Sequence, residues 1–171
     1  VFVGGGTSNP QLMKMVKRRM RVIEGRFAIK QYSLIRRCAP RSRTWVDLSC
    51  ESREWEVYKD TQPQLSFTPE EEKWGGKLLT SMGILPGKEF VCFHGRDHSY
   101  LDTVHSRESA DWYSYNDHRN CNIDNFMSAA GYMASLGIYA IRTGYIVEKP
   151  LTGNNPRVID YSSNHRTDFG D

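Results

Sequence analysis

Chemistry in this sequence concentrates where two short apolar runs end in polar residues. Phe90-Val91-Cys92-Phe93 runs into His94-Gly95-Arg96-Asp97, and Ile138-Tyr139-Ala140-Ile141 runs into Arg142-Thr143-Gly144. Short apolar runs bounded by turn residues read as buried strands of a parallel sheet. In open α/β sheets ligands bind beyond the carboxyl ends of the strands, so the two polar ends would line one crevice. Arg96 suits a diphosphate, because a guanidinium stays charged and presents a planar fork to phosphate oxygens. An ordinary ion pair with Asp97 is the alternative. His94 is placed to donate to a phosphate or to hold the loop by bonding backbone.

The other chemistry-bearing residues form weaker patterns. His94 and His98 are four apart, as in some zinc sites, but they straddle a strand end and a loop, and no third ligand is spaced to match. No metal site is therefore expected. Gly4-Gly5-Gly6 is a weak phosphate-loop candidate, since Asn9 stands where a GxGxxG loop needs its last glycine, and a tight turn from strand to helix is the simpler reading. Cys38, Cys50, Cys92 and Cys121 are scattered with no CxxC pair, so all four are read as reduced thiols. Neither a Gly-x-Ser-x-Gly elbow nor a P-loop occurs, and hydrolase and kinase readings lose most of their support.

The elements that must position the strand ends follow in order. Val1-Phe2-Val3 reads as a strand end, and Ser8-Asn9-Pro10 opens a helix with a cap and an early proline. That helix sets Leu12, Met13, Met15, Val16 and Met20 as an apolar stripe opposite its Lys and Arg residues. From Arg36 to Gln64 the pattern is irregular and loop-rich, with one short extended candidate at Thr44 to Leu48. Thr68-Pro69-Glu70-Glu71 starts a helix in the order cap, proline, acidic first turn, and it continues through Leu78, Leu79 and Met82 to Gly83. Pro86-Gly87 turns into the first apolar strand, after which a long polar loop runs to Asn120. A helix over Ile123 to Leu136, ended by Gly137, makes a βαβ unit whose strands, near Phe90 to His94 and Ile138 to Arg142, are parallel and adjacent. Arg157 to Asp160 is a third strand. The fold class is α/β: a Rossmann-like parallel sheet with flanking helices.

The chain has 171 residues, 39% hydrophobic and 25% charged, which is ordinary for one soluble domain. No run approaches the roughly 18 apolar residues of a membrane span, and the start lacks a signal-peptide pattern. A cytoplasmic protein, membrane-peripheral at most, is the expectation. Net charge is only +3, yet Lys14 to Arg43 holds eleven Lys and Arg against one acid, Glu24. That stretch suits either a solvated helix-and-loop face or a phosphate-rich partner such as nucleic acid, anionic lipid or a lipid-diphosphate acceptor. No aromatic platform interleaves with the charges, which makes nucleic acid the weaker partner.

Several segments from Leu65 onward add a more specific signal. They are Ser66-Phe67-Thr68-Pro69-Glu70-Glu71-Glu72, Phe90 to Asp97, His118-Arg119-Asn120-Cys121-Asn122-Ile123-Asp124-Asn125-Phe126, Ala140-Ile141-Arg142-Thr143-Gly144, Val158-Ile159-Asp160-Tyr161 and Arg166-Thr167-Asp168-Phe169. Taken in this order, the chain resembles bacterial glycosyltransferase-like proteins of the GT-B, fucosyltransferase-like type, associated with surface carbohydrate synthesis. The resemblance is less clear over the first sixty or so residues. His94 and Arg96 are similar to the His-x-Arg strand-end element with which fucosyltransferase-like enzymes hold the donor diphosphate.

The resemblance implies part of a two-domain GT-B architecture, with residues 1–64 the tail of an acceptor-side region and linker, and 65–171 an incomplete Rossmann-like donor-binding domain. It implies metal-independent sugar transfer from a nucleoside-diphosphate sugar to a hydroxyl on a carbohydrate or lipid-linked acceptor. Arg96 and His94 would stabilise the departing diphosphate, and Arg142 and Thr143 would contact nucleotide or diphosphate. Asp97 is the candidate general base, with Asp111, Asp117 and Asp124 as alternatives. The donor is a substrate, and no cofactor is expected. The family pattern continues past Arg166-Thr167-Asp168-Phe169 into a helix, a strand and a Ser/Thr-Gly-rich donor loop, so a partial chain completed by further sequence or by a partner chain is expected. A nucleotide-binding or scaffold module without turnover is the alternative.

Overall fold

Residues 2–3, 7, 9–25, 27–38, 59, 61–104 and 114–171 are described by the computed structural model of the chain. They divide into two units, Val1–Thr68 and Pro69–Asp171.

In the first unit, β1 (Phe2–Val3) pairs in parallel with β2 (Ile23–Glu24), and α1 (Pro10–Arg19) forms the crossover between them. Asn9 starts α1 by accepting the Leu12 amide at 2.8 Å, and Pro10 occupies the first turn, where its missing N–H costs nothing. Lys17, Arg18 and Arg19 fill the last turn, the end at which the helix dipole favours cations. Met15 is buried, whereas Leu12 and Met20 of the expected stripe are exposed. A second helix, α2 (Ala28–Cys38), follows β2 and packs on β1. It takes in Arg36 to Cys38, the start of the stretch expected to be loop-rich. The Gly4-Gly5-Gly6 turn and the extended candidate at Thr44 to Leu48 lie outside the described residues.

The second unit is mixed α/β. It holds a small open sheet of three parallel strands, β3 (Phe90–Phe93), β4 (Tyr139–Arg142) and β5 (Val158–Asp160), in the order β3-β4-β5, flanked by helices. Phe90 aligns with Tyr139 and Phe93 with Arg142, so the two polar strand ends lie side by side as expected. The helix α3 (Pro69–Ser81) ends at Gly83, whose φ of 84° suits a residue without Cβ. Gly83 N–H returns to Thr80 C=O at 2.9 Å and Ile84 N–H to Leu79 C=O at 3.0 Å, a Schellman closure. The same closure at Gly137 (φ 85°) ends α5 (Met127–Ser135) and delivers the chain into β4. The expected long polar loop instead contains α4 (Ser99–Val104) and a 3₁₀ turn at Ser114–Arg119. Ile123–Phe126 is likewise 3₁₀, so the expected crossover helix begins four residues late. A short helix, α6 (Tyr161–Asn164), follows β5 directly.

Ile84, Ile141, Ile159 and Tyr161 form the core of this unit, with Leu78, Leu79, Met82 and Tyr139 packed against it. Cys38, Cys92 and Cys121 are free thiols, and Cys50 lies outside the described residues. Among the described residues no helix is long and apolar enough to cross a membrane.

Candidate ligand cleft at the strand ends

The loop leaving β3 is held at each of its four residues. His94 Nδ1 lies 2.9 Å from the Thr143 carbonyl, and a carbonyl only accepts, so Nδ1 carries the hydrogen. Nε2 is then a lone-pair acceptor in the neutral ring and a donor in the imidazolium. Gly144 leaves room for this ring: a Cβ there would lie 3.6 Å from His94 Nδ1 and 3.1 Å from both Ser162 Oγ and Val147 Cγ1. Gly95 is buried against Ile123, whose Cδ1 would be 3.0 Å from an added Cβ. Cys121 N–H donates to the Arg96 carbonyl at 2.8 Å, so the 120–123 turn fixes the backbone beneath the loop.

Arg96 and Asp97 then diverge in role. The Arg96 side chain is half-buried and lines a cleft, and it makes no hydrogen bond or ion pair among the described residues. The Asp97 carboxylate is engaged at both oxygens: Oδ1 accepts the Ser99 amide at 3.0 Å and Oδ2 the Glu148 amide at 3.0 Å. Asp97 thus starts α4 and ties the 145–148 segment to the strand end. The expected Arg96–Asp97 alternative pair does not form, because Asp97 is turned to backbone.

The cleft has a volume of about 360 Å³. His94, Arg96 and Asp97 form one side, Tyr100 and Leu101 of α4 another, and Tyr145 and Ile146 a third. The Tyr100 and Tyr145 rings lie 6.2 Å apart at a tilt of 56°. Behind Tyr145, the Arg166 guanidinium sits 3.9 Å from the ring centroid, a cation–π contact. Arg166 is itself fixed by Asp168 Oδ1 at 2.8 Å and Asp171 Oδ2 at 2.8 Å. The Arg166-Thr167-Asp168-Phe169 segment therefore braces the wall of the cleft, and Phe169 meets Trp74 of α3 edge to face at 6.1 Å.

Arg142 and Thr143 do not line the cleft. Arg142 is 1% exposed, donates from Nη1 to the Lys149 carbonyl at 2.6 Å and lies 3.6 Å from Asp160 Oδ2. Among the described residues its Nε and Nη2 have no hydrogen-bond partner. Asp160 also accepts the Leu151 amide at 2.8 Å, so the two residues together clamp the 149–151 turn. Thr143 extends the sheet, its amide donating to the Phe93 carbonyl at 2.9 Å. Among the alternative bases, Asp124 is paired with Lys149 at 2.5 Å, a bond that holds its carboxyl below the ordinary carboxylate range. Asp117 lies 3.7 Å from His98 Nδ1, and Asp111 is outside the described residues.

The chain matches no protein-family model, no curated protein and no solved structure. A larger concavity, about 470 Å³, runs along α1 in the first unit, but Lys17 at its wall is already paired with Glu24. The cleft of the second unit carries an unpaired cation at parallel strand ends, which is the more specific arrangement for a ligand. Sequence reasoning reached His94, Arg96 and Asp97 and missed Tyr100, Tyr145 and Arg166. Asp97 two residues before the Ser99 amide is a helix-cap signal that pointed to α4 and hence to Tyr100.

Proposed function

We propose that the chain carries the donor-binding part of a GT-B-type glycosyltransferase that moves a sugar from a nucleoside-diphosphate sugar to a hydroxyl acceptor in surface polysaccharide or glycoconjugate synthesis. The observation that carries this reading is Arg96, an unpaired guanidinium in a cleft at the carboxyl ends of parallel strands. In the reaction, the acceptor hydroxyl attacks the anomeric carbon, and the bond from that carbon to the diphosphate breaks with its electron pair leaving on the diphosphate. Arg96 neutralises that charge where a metal would otherwise stand. The proton of the hydroxyl goes to His94 Nε2, the ring nitrogen that the Thr143 bond leaves open. Asp97 sets the loop on which both residues ride, since its two oxygens already hold backbone amides. Tyr145, backed by Arg166, offers a flat face for a sugar or base.

Titration calorimetry with nucleoside diphosphates tests the cleft directly. Binding that Arg96→Ala weakens and His94→Gln spares, with sugar transfer lost in both, is the expected pattern. A second reading, a binding module without turnover, is favoured by the engagement of Asp97 and the burial of Arg142, which leave few free polar groups at the site. Nucleoside-diphosphate binding by the natural full-length protein with no transfer of radiolabelled sugar decides for it.

A further inference from the structure

We propose that α2 is an interfacial helix that lays its outer face on an anionic lipid bilayer, independently of the cleft reading. At 3.6 residues per turn, Phe27, Gln31, Leu34 and Cys38 fall on one line along the helix, with Ile35 beside it. Phe27 is 72% exposed, Leu34 63% and Ile35 46%, while Ala28 is buried where the helix packs on β1. Large apolar side chains left in water along one line mark an interaction surface. Lys30 and Arg37 run parallel to that line, one turn-face away, and both are exposed.

Charge selects the occupant. From Gly25 to Val46 the sequence has six Lys and Arg residues and no acid. A second copy seated on the same face would bring Lys30 and Arg37 against their own kind, which opposes self-association. A nucleic-acid backbone would satisfy the cations and leave the apolar line in water. An anionic bilayer takes both: the apolar side chains enter the headgroup and acyl boundary, and the long basic side chains reach back to the lipid phosphates.

The test is co-sedimentation of the whole chain with sucrose-loaded vesicles, either phosphatidylcholine alone or with about 30% phosphatidylglycerol, the anionic fraction giving each basic residue its surface attraction. The parent should partition onto the anionic vesicles and much less onto the neutral ones. Lys30→Glu with Arg37→Glu should weaken partitioning by at least about 30-fold, since each cation near such a surface contributes about a factor of five. Phe27→Ser with Leu34→Ser should weaken it by about tenfold or more at unchanged charge. Far-ultraviolet circular dichroism identifies variants that stay folded, and Leu34→Ser alone serves if the pair does not. Equal partitioning onto neutral vesicles, partitioning unaffected by the apolar substitutions, or none at all overturns the proposal. So does displacement of the chain from vesicles by millimolar inorganic phosphate or a single-stranded oligonucleotide, or a dimer in lipid-free buffer that Leu34→Ser dissolves.

Discussion

Replacing Tyr161 with Phe removes a single oxygen from the core of the second unit, and the structure says what that oxygen holds. The hydroxyl donates to the Thr167 carbonyl at 2.8 Å and accepts the Thr167 amide at 2.8 Å, with Asp171 Oδ1 at 3.3 Å. One side chain thus satisfies both backbone groups of one residue and pins the segment that carries Arg166. Tyr161 is 2% exposed, so water does not replace the lost oxygen on the tyrosine side, but Thr167 is exposed and its groups can find solvent. Two bonds at about 1 kcal/mol each, with the stranding penalty relieved by that exposure, give a loss of about 2 kcal/mol. For a unit of about 100 residues this lowers the melting temperature by about 10 °C.

Calorimetric melting of the parent and the Tyr161→Phe variant measures the loss, and hydrogen exchange at the Thr167 and Gly170 amides shows where it falls. Gly170 supplies an internal control. A Cβ there would collide with the Tyr161 hydroxyl and lie 2.8 Å from Leu78 Cδ2. Gly170→Ala should therefore destabilise the parent more than it destabilises Tyr161→Phe, because part of the clash leaves with the oxygen. A melting shift under about 2 °C with unchanged Thr167 protection would refute the argument, since the segment would then be held without Tyr161.

The same residue predicts an alkaline limit. Burial, opposed by the Thr167 bonds and aided by Asp171, raises the Tyr161 phenol above its ordinary value of 10.0. A folded value above the unfolded one means stability that is intact below pH 10 and lost as pH rises through the folded value, so the denaturant midpoint should fall from pH 9 to pH 11, and less so in Tyr161→Phe. Arg96→Ala should weaken nucleoside-diphosphate binding by about 1.5 to 3 kcal/mol, with Arg96→Lys recovering only part of the loss; unchanged affinity in a folded variant means the diphosphate lies elsewhere. Arg142→Ala should cost about 1 to 3 kcal/mol in urea denaturation, because Asp160 loses its cation but keeps the Leu151 amide and the Ser163 hydroxyl, and Asp160→Asn in that background should restore part of it; no measurable cost contradicts a buried pair.

Much of the second unit was legible because its signals are local. Gly83 and Gly137 end helices through backbone bonds that reach only five residues back, and the apolar runs before His94 and Arg142 both form parallel strands. Only β4 is buried as expected; β3 is an edge strand and leaves Phe90 and Cys92 exposed. The strand end read at Val1-Phe2-Val3 is β1, whereas β2, two residues long, lies below any periodicity. The helix α2 escaped for a different reason: its apolar line of Phe27, Leu34 and Ile35 is interrupted by Gln31, and no acidic first turn marks its start. Tyr100 and Tyr145 meet across 45 positions of sequence, and nothing local in either segment records that meeting.

The contrast between Arg96 and Arg142 carries a general point about strand ends. Arg142 is the last residue of β4, the central strand, aligned with Phe93 on one side and Asp160 on the other. A residue still in register in a central strand projects to a covered face, so its guanidinium is drawn into the layer between sheet and loop, where Lys149 and Asp160 meet it. Arg96 stands three residues beyond the end of β3, an edge strand, after the chain has left register at His94. Its side chain follows the loop and reaches the cleft. Residue type and proximity to a strand end were the same for both arginines; what separated them was whether the ladder had already ended. The position at which backbone pairing stops therefore sorts a strand-end cation into a clamp or a ligand group. Here that position assigns the clamp to Arg142 and leaves Arg96 as the cation facing the cleft.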